Sequence, residues 1–392
     1  MEPATAGRHW LRPPAWARVA LGLGFFLFFV PWFSVQVLPF SWVFIFCAWA
    51  ALMFWFAFGR PRRKRRALWF NIGVACLALA CAELFLEFHQ PRMAGPLPGS
   101  HDGYVQEDAD LGYAPVPGVQ RTIDYWYDDE KVFSTTYTID VKGCRIGRPA
   151  PAPDAPVVVF FGGSYAYGHG LADLETPANR VAELSGDRYA PVNLAFYGYG
   201  THHMLAMLQS GRAEAAVGRA PRHAFYLAIP HHALRVAGKA GWDNDGPWYR
   251  LQADGSVRRA GQFTDRSSSF ERRLLRWLHD SKIYDLLRSK TITDDQFELL
   301  AAVAKAAQDR IAEIWPGCRF HVLLWDHPRA QADRAAAALE ARGFDVHRTG
   351  EALPGFAEDP SRYALHPHDR HPNAEAAEHL ARWIVQRFLQ EP

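Results

Sequence analysis

Apolar positions follow two rhythms along this 392-residue chain. Up to about residue 90 they are nearly continuous: Val19 to Val37, Phe40 to Phe58, and Leu68 to about Leu86, with no Lys, Arg, Asp or Glu anywhere from 19 to 58. Each run is close to the ~20 residues that carry a helix across a ~30 Å hydrocarbon layer. The pattern therefore predicts three transmembrane helices, over about 19–37, 40–58 and 68–88. Only "LPFS" (Leu38 to Ser41) is left to turn the chain between the first two. Trp16, Trp32, Trp42 and Trp69 fall near the expected interfaces, where amphipathic rings settle. The apolar region is too long and too repetitive for a cleaved signal peptide.

Beyond residue 90 the rhythm shortens. Pro91 to Gly99 ("PRMAGPLPG") reads as a linker. Tyr104 to Arg148 alternates Tyr, Thr, Val and Ile, with turn chemistry at Asp128-Asp129 and Lys142-Gly143, and predicts short antiparallel lead-in strands. From Pro156 onward, short apolar strands (Val157–Phe161, Val192–Phe196, Ala224–Ile229, Phe320–Trp325, Phe344–His347) alternate with helical runs (Thr201–Val217, Asp294–Ile314, Gln331–Arg342, Asn373–Leu389). That alternation predicts an α/β fold with a mostly parallel sheet covered on both faces. Ala237 to Thr264 interrupts it, and "WYRLQADGSVRR" reads as a hairpin turning at Asp254-Gly255, inserted at the sheet's edge. The expected organisation is an anchor over 1–90, linker and lead-in strands over 91–150, and the α/β domain over 151–392 with a hairpin at about 237–264.

Charge adds orientation. With 43 Lys and Arg against 41 Asp and Glu, the net charge of +2 lacks the basic excess of a nucleic-acid binder. Arg8, Arg12 and Arg18 precede the first predicted span, and "RPRRKRR" (Arg60 to Arg66) follows the second. Basic flanks stay cytoplasmic, so an odd number of spans leaves everything after about residue 90 on the far side. Glu83 and Glu87, one turn apart near the exit of the third span, read as interfacial acids. The chain has five cysteines and no C-x-x-C pair, which removes zinc ribbons and thioredoxin-type motifs. Whether Cys144 and Cys318 pair is left open.

In an open parallel sheet, ligands gather beyond the carboxyl ends of the strands. Gly162-Gly163-Ser164 ends the first strand of the domain there, which makes Ser164 either a nucleophile or a helix cap. At the other end of the chain, Asp369 and His371 stand two apart before the final helix, a compact pair of base and orienting carboxylate. His202, His203, His231, His232 and His371 make a histidine-rich neighbourhood, but without H-E-x-x-H or cysteine pairs no metal site is expected. Asp326 either orients a base or begins the Asp326-His327-Pro328 turn.

Together these motifs resemble, in order, the SGNH (GDSL-type) hydrolases over residues 155–392. Gly162-Gly163-Ser164-Tyr165-Ala166-Tyr167-Gly168 corresponds to that family's G-D-S-x-x-x-G block, with Gly163 in place of Asp. "NLAFYG" (Asn193 to Gly198) resembles the second block and Asp369-Arg370-His371 the last. The third block's asparagine is absent; "AIPHHALR" stands there, offering His231 or His232. The resemblance implies a flavodoxin-like three-layer sandwich with a mostly parallel five-stranded sheet, and a Ser164–His371–Asp369 triad. It also implies an oxyanion hole from the N–H groups of Ser164 and Gly198 with His232 or His231, and no cofactor. The three-helix anchor resembles membrane-bound bacterial members, which implies a multi-pass inner-membrane protein with a periplasmic domain acting on a small-molecule, glycan or lipid acyl ester. Two other readings stay open: an O-acyltransferase using a groove lined by Trp242, Trp248 and Tyr249, and a non-catalytic envelope protein on the same fold. The sequence leaves the oligomeric state open.

Overall fold

A computed structural model of the chain describes residues 41–58, 63–89, 93–94, 103–148, 152, 154–266, 268, 271, 278, 281–287 and 291–390. These divide into two compact units: one holds the described residues of Met1–Gln90 with those of Ser267–Lys290, the other those of Pro91–Arg266 with Thr291–Pro392.

In the first unit, helices α1 (Ser41–Phe58) and α2 (Arg63–His89) pack on each other. Gly73 permits their close approach, since a Cβ there would lie 2.8 Å from the Phe54 ring. Among the described residues, Arg66–His89 is the one helix long and apolar enough to cross a membrane, and Trp42–Phe58 is an apolar helix of shorter length. The first predicted span, 19–37, lies outside the described residues. Glu83 is buried, and its carboxylate accepts hydrogen bonds from Ser281 Oγ and from the N–H groups of Lys282 and Ile283, capping the short helix Lys282–Leu287.

The second unit begins with the two-residue strand Met93–Ala94 and two hairpins, β1 (Val105–Asp108) with β2 (Gly112–Pro115) and β3 (Gln120–Tyr127) with β4 (Glu130–Thr138); Met93–Ala94 pairs antiparallel with the end of β3. The main sheet follows. Its strands are β5 (Val157–Gly162), β6 (Ala190–Asn193), β7 (His223–Ala228), then β10 (Arg319–Leu324) and β11 (Val346–Arg348), all parallel and ordered β6-β5-β7-β10-β11. The order by chain position is 2-1-3-4-5, which reverses between β5 and β7 and opens a crevice at their carboxyl ends. Every residue of β5 and of β7 is buried, which is why both read as continuous apolar runs.

The helices include α3 (Ser164–Tyr167), α4 (Pro177–Leu184), α5 (Thr201–Gln209), α6 (His232–Val236), α7 (Asp294–Ile314), α8 (Arg329–Glu340) and α9 (Ala374–Phe388), with a further short helix, Arg212–Val217, after α5. They pack as two groups: α7 against α5, α6 and α8, and α9 against α4. A separate hairpin, β8 (Pro247–Leu251) with β9 (Val257–Gln262), turns at Gly255. Last, β12 (Ala364–His366) pairs antiparallel with β13 (Asp369–Pro372) just before α9.

Three expectations need correction. The helical run Thr201–Val217 is two helices, because Gly211 takes a left-handed φ of 77° between Gln209 and Arg212. The strand expected at Val192–Phe196 is Ala190–Asn193. It ends there because the Asn193 side chain accepts from the Ala195 N–H and donates to the Ala166 carbonyl, turning the chain out of the sheet. The inserted hairpin pairs only with itself and packs on α5 and α7 rather than extending the main sheet.

Candidate active site

Strand β5 delivers Ser164 to the crevice. Gly162 has φ 151°, and a Cβ there would lie 2.9 Å from the Leu227 carbonyl, so the turn out of the strand requires glycine. Ser164 then opens α3 and is 4% exposed. Its Oγ lies 2.8 Å from His371 Nε2, and His371 Nδ1 lies 2.5 Å from Asp369 Oδ1. Asp369 and His371 are two apart on β13, so the pleat points both side chains to one face. That is how the tight Asp-x-His spacing still yields a bonded pair. Burial pushes the Asp369 carboxyl up, but the hydrogen bond and charge of His371 outweigh it and hold the group down at about 2. Tyr165 steadies this strand, donating to the Arg370 carbonyl at 3.0 Å with its ring 5.2 Å from that of His371.

His232 and His231 separate cleanly. His232 is 0% exposed, whereas His231 is exposed at the N-terminus of α6. His232 Nε2 has no partner among the described residues and points at Gly163, where a Cβ would lie 3.1 Å away. Burial and the nearby Arg235 charge push the His232 pKa well below its usual value, so the ring is neutral. Its Nδ1 lies 2.7 Å from Tyr226 Oη, which lies 2.5 Å from Thr201 Oγ1. A neutral ring that accepts from Tyr226 at Nδ1 carries its proton on Nε2. Gly198 has φ 82°, and its carbonyl accepts from Trp242 Nε1 at 3.3 Å. The N–H groups of Ser164 and Gly198 have no acceptor among the described residues. Asn193 is not at this site's surface; it holds α3 from behind.

Several contributors were invisible in the sequence. Arg145, 2% exposed, donates to the carbonyls of Tyr167, Gly168 and Leu171 and pairs with Asp173, so a lead-in residue clamps the loop after Ser164. His169 is buried with its ring 4.5 Å from that of His371; burial first, then the His371 charge, lower its pKa to about 3 and keep it neutral. Only the phrase "YGHG" hinted at it. Tyr249 is 1% exposed and bonds Gln209, so of the aromatic residues expected to line a groove, Tyr249 does not. Asp326 accepts from Arg329 and Arg348 and starts the turn rather than orienting a base. Cys144 and Cys318 are both free thiols.

Among the described residues, two groups bring together enough donors for a metal ion: His169, Asp369 and His371, and His202, His203 and Asp243. The first is the bonded pair already described. In the second, His203 Nδ1 accepts the Gly200 N–H at 3.1 Å, so its proton sits on Nε2 and faces Asp243 Oδ1 at 3.5 Å. His202 Nε2 lies 2.7 Å from Asp243 Oδ2. A ring protonated on Nε2 cannot ligate there, and the group fits a buried carboxylate bonded by His202, with His203 facing its other oxygen. This ties Asp243, in the insertion, to the start of α5.

No protein-family model and no curated protein matches the chain. Similar solved structures include a carbohydrate esterase whose active site is described as having divergent catalytic and non-catalytic binding functions, at 10% identity, TM-score 0.37, covering 63% of this chain and 68% of that one. An acetyl xylan esterase from the rumen bacterium Butyrivibrio proteoclasticus aligns at 10% identity and TM-score 0.34, over 67% of this chain and 66% of its own. A structure from Parabacteroides merdae described as a GDSL-like lipase aligns at 12% identity and TM-score 0.33, over 61% and 98%. The likenesses are loose, and the roles argued for this chain rest on its own geometry.

Proposed function

We propose that the chain is a membrane-anchored serine ester hydrolase of the SGNH/GDSL type, acting on an acyl or acetyl ester. The observation that carries the reading is the continuous hydrogen-bonded chain from Asp369 through His371 to Ser164 Oγ. A serine hydroxyl attacks only if a neighbouring base takes its proton, and the base works only if its tautomer is fixed. Asp369 keeps the His371 proton on Nδ1, leaving Nε2 free to accept from Ser164.

The steps follow. Ser164 Oγ attacks the ester carbonyl as its proton passes to His371 Nε2. Negative charge develops on the carbonyl oxygen, met by the N–H groups of Ser164 and Gly198 and by the Nε2–H of His232, which here takes the part of the missing asparagine. His371 returns the proton to the departing alkoxide, leaving an acyl-Ser164. Water then gives a proton to His371 and attacks the acyl carbon; the acid leaves and the proton returns to Ser164. The steps draw on side chains, backbone and water alone.

Anchoring and orientation belong to the same proposal, supported by the three apolar runs, the length of α2 and the Arg60 to Arg66 cluster. They imply a bacterial inner membrane with the catalytic part outside the cytoplasm. The test is labelling of the full-length protein in detergent with a fluorophosphonate probe, beside Ser164→Ala and His371→Ala. Labelling lost in both variants supports the triad; undiminished labelling of folded Ser164→Ala refutes the nucleophile.

A further inference from the structure

Arg235 is the charged side chain beside the nucleophile that these steps leave unused. It lies on α6, three residues after His232, and is only 8% exposed. Nη1 donates to the Tyr199 carbonyl at 2.6 Å, and Nε is enclosed without a partner among the described residues. Nη2 has no partner among them either, and it is not fully enclosed. Among the described residues no carboxylate pairs with this guanidinium. Asp243 acts on it only from beyond ion-pair distance, with its Oδ2 bonded to His202. A guanidinium this buried, with two of its three nitrogens unbonded, gains from an anion that completes its hydrogen bonds, and Nη2, the nitrogen not fully enclosed, is where one from outside the chain can reach it.

Its position says what that anion accompanies. A Cβ on Gly163 would lie 2.6 Å from Arg235 Nη1 and 3.1 Å from His232 Nε2, so both groups converge on the residue just before the nucleophile. The ring of Trp242, 39% exposed, covers the guanidinium at 5.6 Å and is pinned by its Nε1 to the Gly198 carbonyl. Cation and aromatic face thus form one wall next to the loop that carries Gly198.

We propose that Arg235, under Trp242, is an anion subsite that selects ester substrates carrying a carboxylate or phosphate group close to the scissile bond. The planar guanidinium fork suits either oxyanion, and partial burial strengthens the attraction relative to water. This rests on the serine-hydrolase reading for its catalytic consequence, but not for binding itself.

The experiment compares matched esters on the full-length protein in detergent: p-nitrophenyl hemisuccinate against p-nitrophenyl butyrate for carboxylate, and acetylglycerol 3-phosphate against acetylglycerol for phosphate. A charge-assisted contact predicts that wild type favours the charged member of at least one pair by ~10- to 100-fold in kcat/KM. Arg235→Met should bring that ratio to about one, and Arg235→Lys should keep part of it. A wild-type ratio at or below one in both pairs overturns the proposal. So does an Arg235→Met variant that lowers both members equally, which would assign Arg235 to the oxyanion or to the fold. A second readout needs no hydrolysis: succinate and inorganic phosphate are titrated against the Tm of Ser164→Ala, with and without Arg235→Met. A rise that depends on Arg235 supports the subsite even if no ester is cleaved, and no rise with either anion refutes it.

Discussion

Replacing His232 by alanine tests the least conventional part of the site. The ring is fully buried and neutral, and its one unpartnered nitrogen faces Gly163. Losing one preorganised donor to a developing oxyanion costs about 10²–10³ in kcat, or ~2.7–4 kcal/mol. Ground-state binding should change little, because the contact forms fully only as charge develops, so KM should move far less than kcat. The same change takes one of the two hydrogen bonds of Tyr226 Oη, leaving the one to Thr201, and adds ~0.5–1.5 kcal/mol of instability. Tyr226→Phe leaves the ring but frees its tautomer, so its loss should be smaller. In the double variant the two losses should not add, since both act through one proton. Steady-state hydrolysis of p-nitrophenyl acetate by the full-length protein in detergent gives kcat and KM, with thermal melting to certify folding. A folded His232→Ala enzyme with kcat within about threefold of wild type, under ~0.7 kcal/mol, refutes the donor role.

Other outcomes follow from the same geometry. Asp369→Asn should lower kcat on the order of 10⁴-fold by freeing the wrong His371 tautomer. Because the folded Asp369 carboxyl sits near 2, below its unfolded value of ~3.9, its contribution of about 2–3 kcal/mol is complete above pH ~5 and lost as pH falls through ~2. The Tm gap between wild type and Asp369→Asn should therefore close between pH 5 and pH 2, as ~1 pH-unit steps in a melting series would show. Arg145→Ala should destabilise the protein by ~3 kcal/mol or more, read by urea denaturation, because three carbonyls and Asp173 lose a buried donor; Arg145→Lys should rescue little. Gly163→Ala should cost ~1–3 kcal/mol in the same assay, since its Cβ would come within 2.8 Å of the Tyr199 carbonyl, with activity falling as the turn that carries Ser164 shifts.

Legibility tracked locality. Helix α7 was bounded correctly at Asp294–Ile314 because its capping box, Thr293 with Gln296, is written in adjacent residues. The expected Val192–Phe196 strand failed because Asn193 spends its side chain on Ala166, 27 residues away, and no local pattern shows that bond. Tyr249 looked like a surface aromatic in a polar hairpin, and it is buried because that hairpin lies on α5 and α7.

What the chain determined by itself was the class of each segment and the two short motifs that meet at the site. Apolar periodicity depends only on neighbours in sequence, so it separates membrane-length runs from a strand–helix alternation. Gly162-Gly163-Ser164 and Asp369-Arg370-His371 were recognisable because the turn out of a strand and the one-face spacing of a strand are local geometry. Tertiary structure alone decided which of two adjacent histidines turns inward, because neighbouring residues on a helix point in different directions and only the packing of α6 on α5 and α7 picks the buried one. It alone brought Arg145 to the loop after Ser164 and Arg235 to Gly163, since a charge's role depends on what folding sets beside it. Both are properties of a folded neighbourhood, in which distances through space bear no relation to separation along the chain.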